Sequence, residues 1–231
     1  MVLLVNTILQ EVYMVNILFD CPNIDDFYDD LKEYFKPTDK VAVVAFSFYD
    51  DYVKDEASWD SVYGEGVGRC YFETVDSFKP FGIPAENFTF INYFTDTHES
   101  AVEKIKNADV VYFTGGLPDR MMNRIIEFDL VDVLMAHKGV VIGYSAGAVI
   151  QMREYHLSPD DDYPEFGYYS GLPYVDGFYL EVHYEHKPWQ DESIKRVPLE
   201  RGKPLYVLHT REGGIIVKDG KIKTVGHVDI Y

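Results

Sequence analysis

The stretch Gly139-Val-Val-Ile-Gly-Tyr-Ser145-Ala-Gly-Ala148 decides how the rest of the chain is read. Val140 to Ile142 is a short apolar run of the kind that forms a buried strand. It breaks at Gly143-Tyr-Ser145, and small residues then open a helix. Gly143, Ser145 and Gly147 match the Gly-x-Ser-x-Gly pattern of a strand–turn–helix elbow with a nucleophile at its apex. In such a turn, a side chain two positions before or after the serine would collide with the strand or the new helix. The hydroxyl is left exposed at the positive end of the helix dipole. A plain junction with a capping serine would use the same residues. A nucleophilic serine differs in needing a base, a group that orients the base, and donors for an oxyanion.

Outward from the elbow, apolar runs alternate with helical patterns. Strands are expected at Val2 to Leu9, within Val12 to Phe19, and at Val41 to Phe46, Asn87 to Phe94 and Ala108 to Thr114. A helical pattern follows Asn23, its expected cap, and puts Phe27, Leu31, Tyr34 and Phe35 on one face before Pro37. Further helices are expected at Gly66 to Phe78, Thr97 to Asn107, from Pro118 through Ile126, and at Leu130 to Ala136. The Asp-, Tyr- and Trp-rich Tyr49 to Gly64 and the aromatic, acidic Pro159 to Gly177 read as surface loops. Phe178 to Tyr184 alternates as a strand, and Gln190 to Leu199 is helical with Pro198 as its limit. Three strand candidates close the chain, Pro204 to His209, Gly213 to Val217 and Lys221 to Val225, the last two joined through the Asp219-Gly220 turn. The pattern predicts one α/β domain over residues 1–231, a mainly parallel sheet wrapped on both faces and a C-terminal β-hairpin. In such sheets ligands bind beyond the carboxyl ends of the strands, where Gly115-Gly116 and Ser145 both fall.

Composition narrows the partners. The chain has 231 residues, 47% of them apolar, which is enough for a large core without disulfides. Its formal net charge of -18 repels nucleic acid and anionic membrane, so neither is an expected partner. The two cysteines, Cys21 and Cys70, form no metal-ligand or redox spacing, which fits a reduced, cytoplasmic setting with no metal and no cofactor. The apolar start lacks the basic region of a signal peptide, and no run approaches the about 20 apolar residues of a membrane span.

Seven histidines compete for the role of base. His98 and His137 read as surface, His156 as a loop residue behind the elbow helix, and His227 as near-terminal. His183 ends the strand from Phe178 and would face the same rim as Ser145, which makes it the first choice. His209, ending another strand, is the second, and His186 lies in the following loop. Among the acids, Glu212 stands just past the strand ending at His209, with Asp176, Glu181, Glu185 and Asp229 as rivals. Gly115-Gly116 can turn backbone N–H groups toward a ligand, and Ala146 N–H, next after the serine, would be the second oxyanion donor.

Phe113-Thr-Gly-Gly116, Gly143-Tyr-Ser-Ala-Gly-Ala148, Val182-His-Tyr184 and Glu212-Gly-Gly-Ile-Ile216, in that order, resemble the successive motifs of the dipeptidase E family of serine peptidases. That family includes aspartyl dipeptidase and, more distantly, cyanophycinase. The resemblance implies a three-layer, flavodoxin-like fold similar to the class I glutamine amidotransferases, with serine replacing their nucleophilic cysteine. It implies a Ser145–His183–Glu212 triad and an oxyanion hole from the Gly116 and Ala146 amides in the Gly115-Gly116 and elbow loops. Val182 stands where many members carry proline. Aspartyl dipeptidases carry a substrate-binding arginine after the histidine, and in Glu185 to Arg196 neither Lys187, Lys195 nor Arg196 aligns with it. The expected function is therefore hydrolysis of short peptides without a marked aspartyl preference. An esterase or amidase built on the same elbow, and a silent relative binding a small ligand, are the competing readings. The substrate class is a small peptide; the oligomeric state, a homodimer included, is open.

Overall fold

Short β-branched runs become strands where both faces of a sheet must be covered. The computed structural model describes residues 14–231, so the expected strand at Val2 to Leu9 lies outside the described residues. Ten strands follow: β1 (Val15–Phe19), β2 (Val41–Val44), β3 (Phe88–Ile91), β4 (Val110–Phe113), β5 (Val140–Tyr144), β6 (Glu154–Leu157), β7 (Gly167–Ser170), β8 (Tyr179–Tyr184), β9 (Leu205–Lys218) and β10 (Lys221–Ile230). The helices are α1 (Tyr28–Leu31), α2 (Glu56–Tyr63), α3 (Arg69–Phe78), α4 (His98–Lys106), α5 (Pro118–Glu127), α6 (Val131–Ala136), α7 (Ala146–Val149) and α8 (Pro188–Arg201). Among the described residues none is long and apolar enough to cross a membrane.

The main sheet runs in the order β10-β9-β1-β5-β4-β2-β3, with β8 beside β9. β1, β5, β4, β2 and β3 pair in parallel. β9 is antiparallel to β1, and β10 closes the C-terminal hairpin against it. Alternate residues enter opposite layers. Leu18, Val44, Val111, Val141 and Ile215 meet Ala101, Ile105, Met121, Ile125 and Leu134 of α4, α5 and α6 on one face. Ile17, Val43, Tyr112, Ile142 and Ile216 meet Leu31, Trp59, Tyr63 and Phe78 of α1, α2 and α3 on the other. The result is the expected three-layer α/β fold.

Several local expectations change. Asn23 makes no side-chain cap. The segment after it is a 3-10 turn, Ile24–Phe27, followed by the single turn α1, and Asn23 Nδ2 instead reaches Asp26 Oδ2 (2.7 Å) and Arg211 O (3.3 Å). The supposed loop Tyr49 to Gly64 contains α2, started by a reciprocal Asp55–Ser58 capping box and anchored by buried Trp59 and Tyr63. Pro159 to Gly177 likewise includes β7, which pairs antiparallel with β6. Pro198 lies inside α8, which runs on to a left-handed Gly202; proline so near the end removes a donor from the last turn only. The two strand candidates before the hairpin turn are one strand, β9, bent at Arg211 where φ is 65°.

A buried cation braces the segment after β2. Arg124, on α5, donates from Nη1 to Phe46 O (2.6 Å) and Phe48 O (2.9 Å), and from Nη2 to Asp50 Oδ1 (2.5 Å). Its guanidinium lies 3.6 Å from the Phe48 ring centroid. Arg124→Met keeps the packing of the stem and strands two carbonyls. It should lower unfolding stability by roughly 3 kcal/mol, read as a lower urea midpoint at an unchanged slope.

Candidate active site

The elbow has the geometry its sequence demands. Ser145 sits at φ 52° and ψ -117°, a conformation that non-glycine residues rarely adopt. A Cβ on Gly147 would overlap the Phe113 carbonyl, and one on Gly143 would overlap the Gly147 carbonyl. Ser145 N–H donates to Phe19 O (2.9 Å), which ties the apex to β1. Gln151 fixes the turn from below, donating to Gly147 O (3.0 Å) and accepting from Asn16 Nδ2 (3.0 Å). The helix after the serine, α7, is only four residues long. Its contribution at the apex is therefore free N–H groups rather than an extended dipole.

Opposite the elbow, the Gly-Gly loop is shaped by Ser47, a residue the sequence reading passed over. Ser47 Oγ bonds Thr114 Oγ1 (2.7 Å) and donates to Gly115 O, while Ser47 O accepts from Leu117 N (2.8 Å). Gly116 has φ 137°, and a Cβ there would overlap Ser47 O. Among the described residues, neither Gly116 N–H nor Ala146 N–H is taken up by a hydrogen bond. Gly115 packs under the Tyr144 ring, and Gly116 and Ala146 line a cavity of about 700 Å³.

Ser145 and His183 line that same cavity. His183 reaches it through a break in the β8–β9 register between Glu181 and Tyr184, where its φ is 56°. Gln190 of α8 donates to His183 O (2.9 Å) and accepts from Glu185 N (3.0 Å), pinning the turn. Among the described residues no hydrogen bond joins Ser145 Oγ to His183, so the pair shares the cavity without being engaged.

The carboxylate beside His183 is Asp20, not Glu212. Asp20 Oδ2 stands 3.7 Å from His183 Nδ1. Asp20 is fully buried, and its Oδ2 accepts from Arg211 N (2.8 Å) and Cys21 Sγ (3.3 Å), while Oδ1 has no partner. Glu212 is exposed, and its Oε2 accepts from His227 Nδ1 (2.9 Å), which holds that imidazole's pKa above its usual value. The reason is the bend of β9. Arg211 aims its N–H at Asp20, and the next residue emerges on the β10 side. Asp20 follows the buried run of β1 directly. An acid at the carboxyl end of a parallel strand was the available signal.

The rival residues have other partners. His156 Nε2 meets Glu181 Oε2 at 2.6 Å, and Ser158 Oγ donates to the same oxygen (2.7 Å), so both rivals are buried against each other. His98 Nδ1 bonds Phe128 O (2.8 Å). His137 lies away from the elbow, with burial lowering its pKa. His209 bonds Asp229 (2.9 Å), and Asp176 pairs with Arg153 and Lys203. Cys21, close to His183, is a poor nucleophile: burial first, and the charge of Asp20 second, push its thiol up to about 12.

Residues 71–225 match the model of peptidase family S51. The chain therefore belongs to peptidase family S51 and is a serine-type peptidase. No curated protein matches the sequence. Solved structures similar in fold include two peptidases. A candidate peptidase E protein from Listeria monocytogenes EGD-e has 15% identity and a TM-score of 0.65, covering 93% of this chain and 99% of its own. A peptidase from an acI-B1 Actinobacterium has 16% identity and a TM-score of 0.63, covering 95% of this chain and 90% of its own.

Two outcomes follow from the site geometry. Gly147→Ala must displace the backbone of β4, whereas at Gly177 (φ 97°) a Cβ meets nothing within 4 Å. Thermal denaturation should show Gly177→Ala losing about 1 kcal/mol and Gly147→Ala losing clearly more. Alkylation of Cys21 by iodoacetamide should keep accelerating with pH well beyond the range of an ordinary thiol, because the thiolate is scarce below about 12.

Proposed function

We propose that this family S51 chain hydrolyses short peptides through Ser145, with His183 as base and Asp20 as the carboxylate that serves the imidazole. The observation that carries the reading is Ser145 at a strained elbow apex, lining one cavity with His183 and with the free Gly116 and Ala146 amides. Ser145 Oγ attacks the scissile carbonyl carbon, and His183 accepts its proton. The carbonyl oxygen becomes an oxyanion between Gly116 N–H and Ala146 N–H, an interaction worth about 3–4 kcal/mol per donor in comparable proteases. The imidazolium then returns the proton to the leaving amine. Water, deprotonated by the same imidazole, releases the acyl group from Ser145. The buried Asp20 carboxylate stabilises the imidazolium while it lasts.

The cavity wall favours substrates with a positive end. Asp160, Asp161, Asp162, Glu181 and Glu185 line it together with Tyr49 and Tyr163. Tyr49 Oη donates to Asp162 Oδ2 (2.6 Å), and Asp160 Oδ1 accepts from the Asp162 and Tyr163 amides (2.9 and 2.6 Å), so the loop is ordered. Lys187 is the one lysine or arginine among the described lining residues, and Glu185 stands 3.7 Å from its Nζ. Arg196 is engaged with Glu200 (2.7 Å) and the Phe166 ring. An acidic side chain would meet repulsion here, and a lysine or arginine side chain attraction.

A dipeptide panel varied at its first residue, run beside the matching amino-acid esters, tests the substrate. Lys- and Arg-first peptides should exceed Asp-first peptides by about tenfold or more in kcat/KM; an Asp preference, or ester turnover alone, would overturn the substrate reading. Ser145→Ala should remove hydrolysis and labelling by a fluorophosphonate. A fall in kcat of order a thousandfold in Asp20→Asn, with a far smaller one in Glu212→Gln, supports Asp20 as the partner of His183; the reverse pattern restores Glu212.

A further inference from the structure

An oxyanion donor at Gly116 requires one peptide group to face one way. The Gly115–Gly116 peptide is trans, so its C=O and N–H lie on opposite sides. The Gly116 amide enters the cavity only while the Gly115 carbonyl points away from it. Glycine on both sides leaves this peptide without a Cβ to oppose its rotation. Turned over, it would aim the Gly115 carbonyl at the place the oxyanion must occupy. Its direction is set from beneath the loop. Ser47 Oγ contacts Gly115 O, and a carbonyl only accepts, so the proton there is the serine's. That spends the one proton of Ser47. At the 2.7 Å contact between Ser47 Oγ and Thr114 Oγ1 the donor is therefore Thr114. Val44 O, 3.4 Å from Thr114 Oγ1, is the poorer acceptor. Donation thus runs from Thr114 to Ser47 to Gly115 O, and both hydroxyl residues are buried away from competing bulk water.

From this arrangement we infer that Ser47 and Thr114 are positioning residues of the peptidase reaction, holding the Gly115–Gly116 peptide so that its N–H faces the oxyanion. The inference rests on the reading of Gly116 N–H as an oxyanion donor. Ser47 is itself held in place. Arg124 Nη1 donates to Phe46 O (2.6 Å) and Phe48 O (2.9 Å), the carbonyls on either side of it, while the carbonyl of Ser47 accepts from Leu117 N (2.8 Å). One residue thus grips the loop twice, at the Gly115 carbonyl through its hydroxyl and at the Leu117 amide through its backbone. Gly116, between the two grips, lines the cavity with its amide unbonded among the described residues. The backbone grip is available to any residue at position 47, whereas the hydroxyl grip belongs to serine. Removing the hydroxyl leaves the loop attached and frees only the peptide. A donor aimed in advance stabilises developing charge without reorganising during the reaction. A freed peptide loses that donor and, once turned over, opposes the oxyanion with a carbonyl dipole.

The probe is a fluorophosphonate, whose phosphoryl oxygen takes the oxyanion's place while Ser145 Oγ displaces fluoride. Saturation kinetics of labelling are measured across pH for the full chain and its variants. Ser47→Ala and Thr114→Val should each lower the maximal labelling rate by roughly 10–100-fold, a part of what loss of a whole oxyanion donor costs. The half-saturating concentration and the pH midpoint should not move. Thr114→Ser, which keeps the hydroxyl, should recover most of the rate. Unaltered rates in both Ser47→Ala and Thr114→Val overturn the inference. A shifted pH midpoint also overturns it, by placing the effect on His183, and so does a loss in Thr114→Ser equal to that in Thr114→Val, by placing it on packing. A crystal structure of Ser47→Ala, or of Thr114→Val should the first fail to fold, shows the peptide directly: a Gly115 carbonyl turned into the cavity supports the inference, and an unmoved one overturns it. Failure of the unaltered chain to label at Ser145 counts against the nucleophile instead, and the crystal structure then decides what Ser47 and Thr114 hold.

Discussion

At the Ser145 turn backbone lies directly against backbone, and most of the site follows from that contact. Gly147 rests on the carbonyl of Phe113 at the end of β4, and Gly143 rests on the carbonyl of Gly147. The amide of Ser145 is bonded to Phe19 O at the end of β1. Three neighbouring strands are thus locked at their carboxyl ends with no side chain between them. The conformation of Ser145 costs about 1–3 kcal/mol, and it persists because β1, β4 and the Gln151 side chain hold it from three sides. A serine on a flexible loop would carry no such cost, but it would not present its hydroxyl at one fixed place relative to the Gly116 amide.

The same lock determines where charge can sit. Phe19, whose carbonyl holds the serine amide, is followed at once by Asp20, so a carboxylate is carried to the rim by the strand that restrains Ser145. Burial strips Asp20 of water, and two donors plus a nearby imidazole only partly replace it. A buried carboxylate with one unpaired oxygen would gain most from a positive charge on His183, the charge the proposed mechanism places there. The neighbouring Cys21 thiol experiences the same surroundings with the opposite result, since burial and the adjacent negative charge both disfavour its anion. One environment therefore suits a neutral hydroxyl with a base and suppresses a thiolate.

What could be read from the chain alone depended on how local the cause was. The elbow was legible because its steric demand is written within five consecutive residues, Gly143 to Gly147. The layered sheet was legible because runs such as Val41 to Val44 and Val110 to Phe113 are apolar at every position, as strands covered on both faces must be. The helix Glu56–Tyr63 was hidden by its acidic and aromatic composition, although Asp55 and Ser58 carried its capping signal. Ser47 and Arg124 were illegible for a different reason, and Asp20 offered only its place at the end of β1. Each acts on a partner 67 to 191 positions away, and no spacing rule connects Arg124 with Phe46 or Asp20 with Arg211.

The bend of β9 shows how a motif can be right in place and different in use. Glu212-Gly-Gly214 looks like an acid followed by a flexible turn, but the chain there is a continuous strand. Gly214 is required because the ring of Phe19 lies over it, which is a packing demand independent of the acid beside it. Arg211 takes the left-handed conformation, and its amide turns inward to Asp20 while its carbonyl accepts from Asn23. Once that amide is committed inward, the next side chain is carried outward, to His227. A single backbone reversal thus separates two carboxylates that a linear reading treats as interchangeable: one buried beside His183, the other exposed among the histidines of the hairpin. Which of them a histidine can use is decided by the direction of one peptide group, and that direction is set by Asp20, far away in the sequence.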